Sequence, residues 1–182
     1  MYSPAETTRR TPDQPLAPGP APHGTDLGLV LLRIVVGLTM AGHGTQKLFG
    51  WFDGGGLDGT GQFFTASGYP SGKAMATVAG LTETFGGLAL VLGLCTPLAA
   101  AGIIGTMINA IAVKWDGGFF APDGVEYELL LTAAAATLAL TGPGRLAADR
   151  FLPFLRTHRI AYGIAAIAIG ALTAGIVLLF RD

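Results

Sequence analysis

The sequence predicts an all-α integral membrane protein: a four-helix bundle with one further transmembrane helix at its C-terminal end. Three observations predict it. Hydrophobic residues make up 51% of the 182 residues and charged residues only 13%, against about 25% charged in a soluble domain. Mean hydropathy is +0.54. Five apolar segments fall at 27–49, 74–94, 97–115, 126–142 and 160–180, and a helix rising 1.5 Å per residue needs about 20 residues to cross the hydrocarbon layer.

The elements follow in order. Residues 1–26 include the proline-rich stretch TPDQPLAPGPAPHG, which is too polar to bury a core and is expected to be a disordered tail. Its basic pair, Arg9 and Arg10, is separated from the apolar run that starts at Leu27, so span one is expected to be retained rather than cleaved. Segments two and three form one uncharged run from Thr84 to Val113, broken by GLCTP; the run is too long for one span, and Pro97 marks a tight turn between two. Segment four is shorter and opens on Glu126 and Glu128. Segment five, Ile160 to Phe180, carries no charge. The chain therefore divides into a tail (1–26), a four-helix membrane domain with its following loop (27–156) and an additional transmembrane helix (157–182).

Basic residues in short loops orient the spans. Arg145, Arg150, Arg156 and Arg159 stand against Asp149 alone between spans four and five, which predicts a cytoplasmic loop and N-terminus. Loops 50–73 and 116–125 and the C-terminus then lie outside. The first of these loops is rich in glycine and carries Trp51, Phe52, Phe63, Phe64 and Tyr69. It reads either as an aromatic belt at the lipid headgroups or as a lid over a site.

Charges within spans are costly and need partners or a purpose. On span one, Arg33, His43 and Lys47 share a face with Gly37 and Gly44, so the charged face is also the face that admits a close neighbour. Glu83 on span two lies in line with Gly80 and Gly87, and Asn109 on span three with Gly102 and Gly105. With a 1.5 Å rise, His43 and Asn109 lie about 9 Å and Glu83 about 13 Å below the outer surface, so the three are expected to converge. Arg33 sits deeper and is expected to reach Glu83, although snorkelling toward the headgroups is the alternative. Glu126 and Glu128 enter from the outer end of span four. Asp123-x-x-Glu126 matches a capping box, which makes Glu128 the inward acid. The candidate site is thus Arg33, His43, Lys47, Glu83, Asn109, Glu126 and Glu128, without assigned catalytic roles.

Several classes are excluded. A net charge of −1 offers no basic surface for nucleic acid. Cys95 is the single cysteine, so there is no internal disulfide and no multi-thiolate metal site. His43 is the one histidine within a span, too few for bis-histidine haem. Neither a dinucleotide fingerprint nor a P-loop is present. An acid beside a histidine that titrates near neutrality suits a quinone or quinol headgroup, or a protonatable solute pathway.

LLRIVVGLTMAGHGTQKLFG in span one, ETFGGLALVLGLCTPLAA in span two and its turn, and EYELLL in span four together resemble the DoxX family of small bacterial membrane proteins. The resemblance implies a four-helix bundle in the cell membrane and association with redox systems, as a quinone-associated or accessory subunit of quinol-oxidising or thiosulfate-to-quinone complexes. The family's recurring polar residues would fall on Arg33, His43, Lys47, Glu83, Asn109 and Glu126. The tail and the fifth span depart from its shorter pattern. Expected partners are the lipid bilayer, redox-enzyme subunits and a second copy of the chain, with quinone as the candidate cofactor. Two other readings stand beside this one: a small-solute or proton-coupled permeation protein, and a scaffold in which an Arg33–Glu83 pair only sets packing. In the scaffold reading, the Gly163/Gly170/Ala174 stripe would be a dimer or partner contact.

Overall fold

The computed structural model describes residues 24–182; the expected tail falls almost wholly outside them. Six helices carry the described chain: α1 (Gly24–Phe49), α2 (Gly56–Ala66), α3 (Gly72–Leu92), α4 (Thr96–Lys114), α5 (Glu126–Thr141) and α6 (Ile160–Leu179). It is an all-α membrane bundle. Four helices, α1, α3, α4 with its short extension, and α6, are long and apolar enough to cross a bilayer. α5 has 16 residues and packs among them.

Antiparallel packing of α1 on α3 is set by glycine. A Cβ on Gly37 would lie 2.5 Å from the Gly87 carbonyl oxygen, and one on Gly44 would lie 2.7 Å from that of Gly80. The backbones therefore touch, as the aligned glycines predict. α3 ends where Gly93 takes a left-handed conformation (φ 63°) and the Leu94 amide closes back on the Ala89 carbonyl at 2.8 Å, a Schellman-type stop. Cys95 then turns the chain into α4 with Pro97 in its first turn. Asp149, from the 142–159 loop, accepts the Cys95 and Thr96 amides at 2.6 and 3.1 Å and so caps α4 from a distance.

α6 packs on α4 and α5, running parallel to α4. Its buried face is Gly163, Ala166, Gly170 and Ala174, and a Cβ on Gly170 would meet the Ala101 carbonyl oxygen at 2.7 Å. The small-residue stripe is thus consumed inside the chain, which corrects its assignment as a dimer contact: α4 and α5 already occupy it. Between the helices lies a core of Met40, Leu90, Ile103 and Leu138, all fully buried, while Leu31, Val35, Phe85, Leu98, Leu130 and Leu172 are exposed and suit lipid.

The bundle has two ends. The turn end carries residues 93–95 and the 142–159 loop, and there Asp26 accepts the Arg145 amide at 2.9 Å. The lid end carries α2 and loop 115–125. The chain's last residues are also there: Arg181 donates to the Ser67 and Ala112 carbonyls at 2.8 and 3.0 Å, and the Asp182 amide to Gly68 at 3.0 Å. The region read as an irregular loop therefore contains a helix. α2 packs on α3 and α1 at the lid end, and its glycines, Gly56, Gly59 and Gly61, concealed its helical character from a pattern reading.

Candidate functional site

Beneath α2 lies a cavity of about 400 Å³, lined by residues from all six helices. Its apolar wall includes Met75, Val78, Met107, Val113, Leu131 and Val177, and its roof Phe63 and Phe64. Its polar lining includes His43, Lys47, Glu83, Asn109, Lys114 and Glu128 with Tyr69 and Tyr127.

Two ion pairs dominate. Lys47 Nζ lies 2.6 Å from Glu83, whose side chain is 1% exposed. Lys114 Nζ lies 2.9 Å from Glu128 Oε1, while Glu128 Oε2 is buried without a hydrogen-bond partner. The first pair ties α1 to α3 and the second ties α4 to α5. Lysine suits both positions because its apolar stem follows the helix while the ammonium reaches inward from the span's end.

Two neutral contacts cross between these pairs. His43 Nε2 and the Tyr127 hydroxyl share a hydrogen bond at 3.1 Å, with the rings edge-on at 5.8 Å. The Tyr69 hydroxyl donates to Asn109 Oδ1 at 3.0 Å, while Asn109 Nδ2 donates to the Gly105 carbonyl at 3.0 Å. Tyr69 is buried, its ring edge-on to Phe64. Burial holds its phenol above the ordinary value, against the opposing pull of the Arg181 guanidinium. Asn109 therefore bonds to its own helix and to the Tyr69 hydroxyl at once.

His43, Lys47, Glu83, Asn109 and Glu128 line the cavity together; Arg33 and Glu126 do not. The expected Arg33–Glu83 pair is absent, because Lys47 holds Glu83. Arg33 is buried at the turn end and donates to the carbonyl oxygens of Leu90, Val91, Pro143 and Leu146. The last turn of a helix leaves its carbonyls without partners, and a guanidinium with five donors satisfies several at once. Arg33 is a clamp on the end of α3. Nor does Glu126 point inward: its Oε1 accepts the Ala121 amide at 2.9 Å and braces the 115–125 loop. α5 begins at Glu126 itself, after Val125, so the Asp123 capping box does not form.

Tyr69 and Tyr127 are the cavity residues that the candidate site left out. Tyr127 sat between the two acids, and Tyr69 was grouped with the belt aromatics; only the fold brings them to His43 and Asn109.

This geometry can be set beside known proteins. The DoxX family model matches residues 28–115, which span α1 to α4 and carry six of the polar cavity groups and clamps: Arg33, His43, Lys47, Glu83, Asn109 and Lys114. A protein of Bacillus subtilis (strain 168) named "Putative oxidoreductase CatD" is 37% identical over 128 residues, covering 70% of this chain and 88% of its own. The chain belongs to the DoxX family. A second relative, "Inner membrane protein YphA" of Escherichia coli (strain K12), is 31% identical over 129 residues, covering 67% of this chain and 88% of its own. No solved structure matches this DoxX chain significantly.

Proposed function

We propose that this DoxX protein binds a quinone or quinol headgroup in the lid-end cavity and serves as a quinone-associated accessory subunit of a membrane redox complex. The observation that carries the reading is the cavity itself: apolar walls, two lysine–glutamate pairs and a histidine–tyrosine hydrogen bond enclosed in one space. Its volume falls within the ~300–1,000 Å³ of small-molecule sites. A quinone, when bound, supplies paired electron and proton exchange. Lys47, Lys114 and, where His43 Nε2 donates to it, the Tyr127 hydroxyl are donors for carbonyl oxygens, and the second oxygen of Glu128 is an acceptor for a hydroxyl. His43 Nε2 donates a hydrogen bond to the Tyr127 hydroxyl or accepts one from it, according to its tautomer. The name of the B. subtilis relative favours redox association.

The orientation belongs to the same proposal, with the turn end cytoplasmic. All three lid-end lysines are neutralised: Lys47 by Glu83, Lys73 by Asp58 and Lys114 by Glu128. The turn end keeps Arg145, Arg150 and Arg156 without an ion pair among the described residues. The basic residues of the short 142–159 loop, with Arg9 and Arg10 of the tail, are the signal that favours a cytoplasmic turn end.

Protein purified in mild detergent should retain quinone detectable by mass spectrometry of its lipid extract, and His43→Ala and Glu83→Gln should each abolish it. Retention by both variants overturns the site assignment. Absence of quinone from the wild type, with no binding of a short-chain quinone analogue, overturns the function.

A further inference from the structure

A second cavity, of about 480 Å³, opens at the turn end among the start of α1, the end of α5 and the 142–159 loop. Its lining includes Arg145, Arg150, Arg156 and His158. Two acids, Asp26 and Asp149, line it as well, but both are engaged. Asp26 accepts the Arg145 amide, and Asp149 accepts the two amides that open α4. His158 Nε2 meets the Leu140 carbonyl oxygen at 3.0 Å, so that nitrogen carries a proton and the ring is fixed against Gly142.

Both acids keep their charge while they hold backbone amides, whereas the guanidinium groups of Arg145, Arg156 and Arg150 have no carboxylate partner among the described residues, so three cations line the cavity against two anions. Arg150 lies over the Phe151 ring, 4.6 Å from its centroid, which holds the charge at the cavity rim. Three arginines lining one concave site suit a tetrahedral oxyanion, since the planar fork presents paired donors to phosphate. The surroundings say what carries that phosphate. Phe151, Phe154 and Ile160, next in the chain to or near the lining residues Arg150, Leu155 and His158, are strongly exposed, at the level where α6 begins. A water-facing phosphate site gains nothing from such a rim, whereas a lipid headgroup brings acyl chains to cover it.

We propose that this cavity binds the phosphodiester of an anionic phospholipid. The site is separate from the quinone reading, lying at the opposite end of the bundle and sharing no lining residue with the first cavity.

Delipidated full-length protein would be titrated in detergent, with native mass spectrometry as the readout. The probes are phosphatidylglycerol, phosphatidylcholine of identical chains, and inorganic phosphate in excess. Phosphatidylglycerol should bind in preference to phosphatidylcholine and resist displacement by phosphate. Arg150→Gln and Arg156→Gln should each weaken it about fivefold, the equivalent of one basic group at a lipid surface. Lys73→Gln, at the lid end, should leave it unchanged. Because both arginines are exposed, these variants should fold, and an unaltered thermal melt checks that they do. Equal binding of the two lipids, or arginine variants that bind like wild type, overturns the proposal. Displacement by inorganic phosphate overturns the lipid assignment and leaves a free-phosphate site.

Discussion

Replacing Lys47 with methionine keeps the apolar stem and removes the charge that faces Glu83. At their 2.6 Å separation, two unit charges attract by roughly 6 kcal/mol at an effective dielectric of about 20. The Lys47 side chain is 24% exposed, and screening on that side reduces the figure. Losing one member of a buried pair costs about 3–5 kcal/mol in other proteins, and the lower end, ~3 kcal/mol, is the expectation here. Removing both charges is different: a buried pair replaced by apolar groups of similar volume is often neutral. Lys47→Met should therefore destabilise the fold, and Lys47→Met with Glu83→Leu should recover to within about 1 kcal/mol of wild type. The double variant should still lose quinone. Reversible unfolding in mixed micelles of increasing sodium dodecyl sulfate content, followed by fluorescence of Trp51 and Trp115, measures both. A double variant no more stable than the single one, or a single variant without cost, refutes the pairing argument.

Two further outcomes follow. Gly87→Ala places a methyl 2.6 Å from the Ala41 amide nitrogen, where only backbone stands, and should cost about 1–3 kcal/mol by forcing α1 from α3. Gly28→Ala, with open space around it, should be neutral or stabilise by up to about 1 kcal/mol; equal effects in thermal melts contradict the close-approach reading. At the lid, the Lys73 hydrogen bond and charge hold the exposed Asp58 carboxyl below its ordinary value. Its stabilisation is therefore present at neutral pH and is lost as pH falls from about 3.9 toward the depressed folded value. Asp58→Asn should flatten the acid side of a melting-temperature profile, and an unchanged slope removes the pair from the account.

The membrane helices were legible because bilayer thickness dictates their length and glycine alignment dictates which faces meet. Gly37 and Gly44 against Gly80 and Gly87 is a contact written directly in spacing. The identity of Glu83's partner was not legible. Helical-wheel position places Arg33 and Lys47 on one face alike, and depth alone separates them; depth in turn depends on where each helix ends. α3 stops at Gly93, which leaves carbonyls beside Arg33 and reserves that guanidinium for backbone. The capping box at Asp123 fails because α5 starts two residues later than it requires, and Glu126 braces the 115–125 loop instead. Tyr69 and Tyr127 lay hidden because their role arises from α2 folding over the bundle, a long-range event with no local signature.

The ion pairs divide the molecule in an unequal way. Lys47–Glu83 and Lys73–Asp58 join elements of the first half of the chain, α1 to α3, and Lys114–Glu128 joins elements of the second. None bridges the halves. At the turn end the halves are bound by the Arg33 clamp on the Pro143 and Leu146 carbonyls and by Asp26 on the Arg145 amide. At the lid end the described side chains crossing the seam do so through hydrogen bonds such as His43–Tyr127, Tyr69–Asn109 and Arg181–Ser67. The protein is built like a book with a stitched spine and an unglued fore-edge. Parting the pages at that edge forfeits hydrogen bonds weaker than a charged pair, so a guest arriving from the bilayer meets its lowest barrier where the lid-end cavity lies.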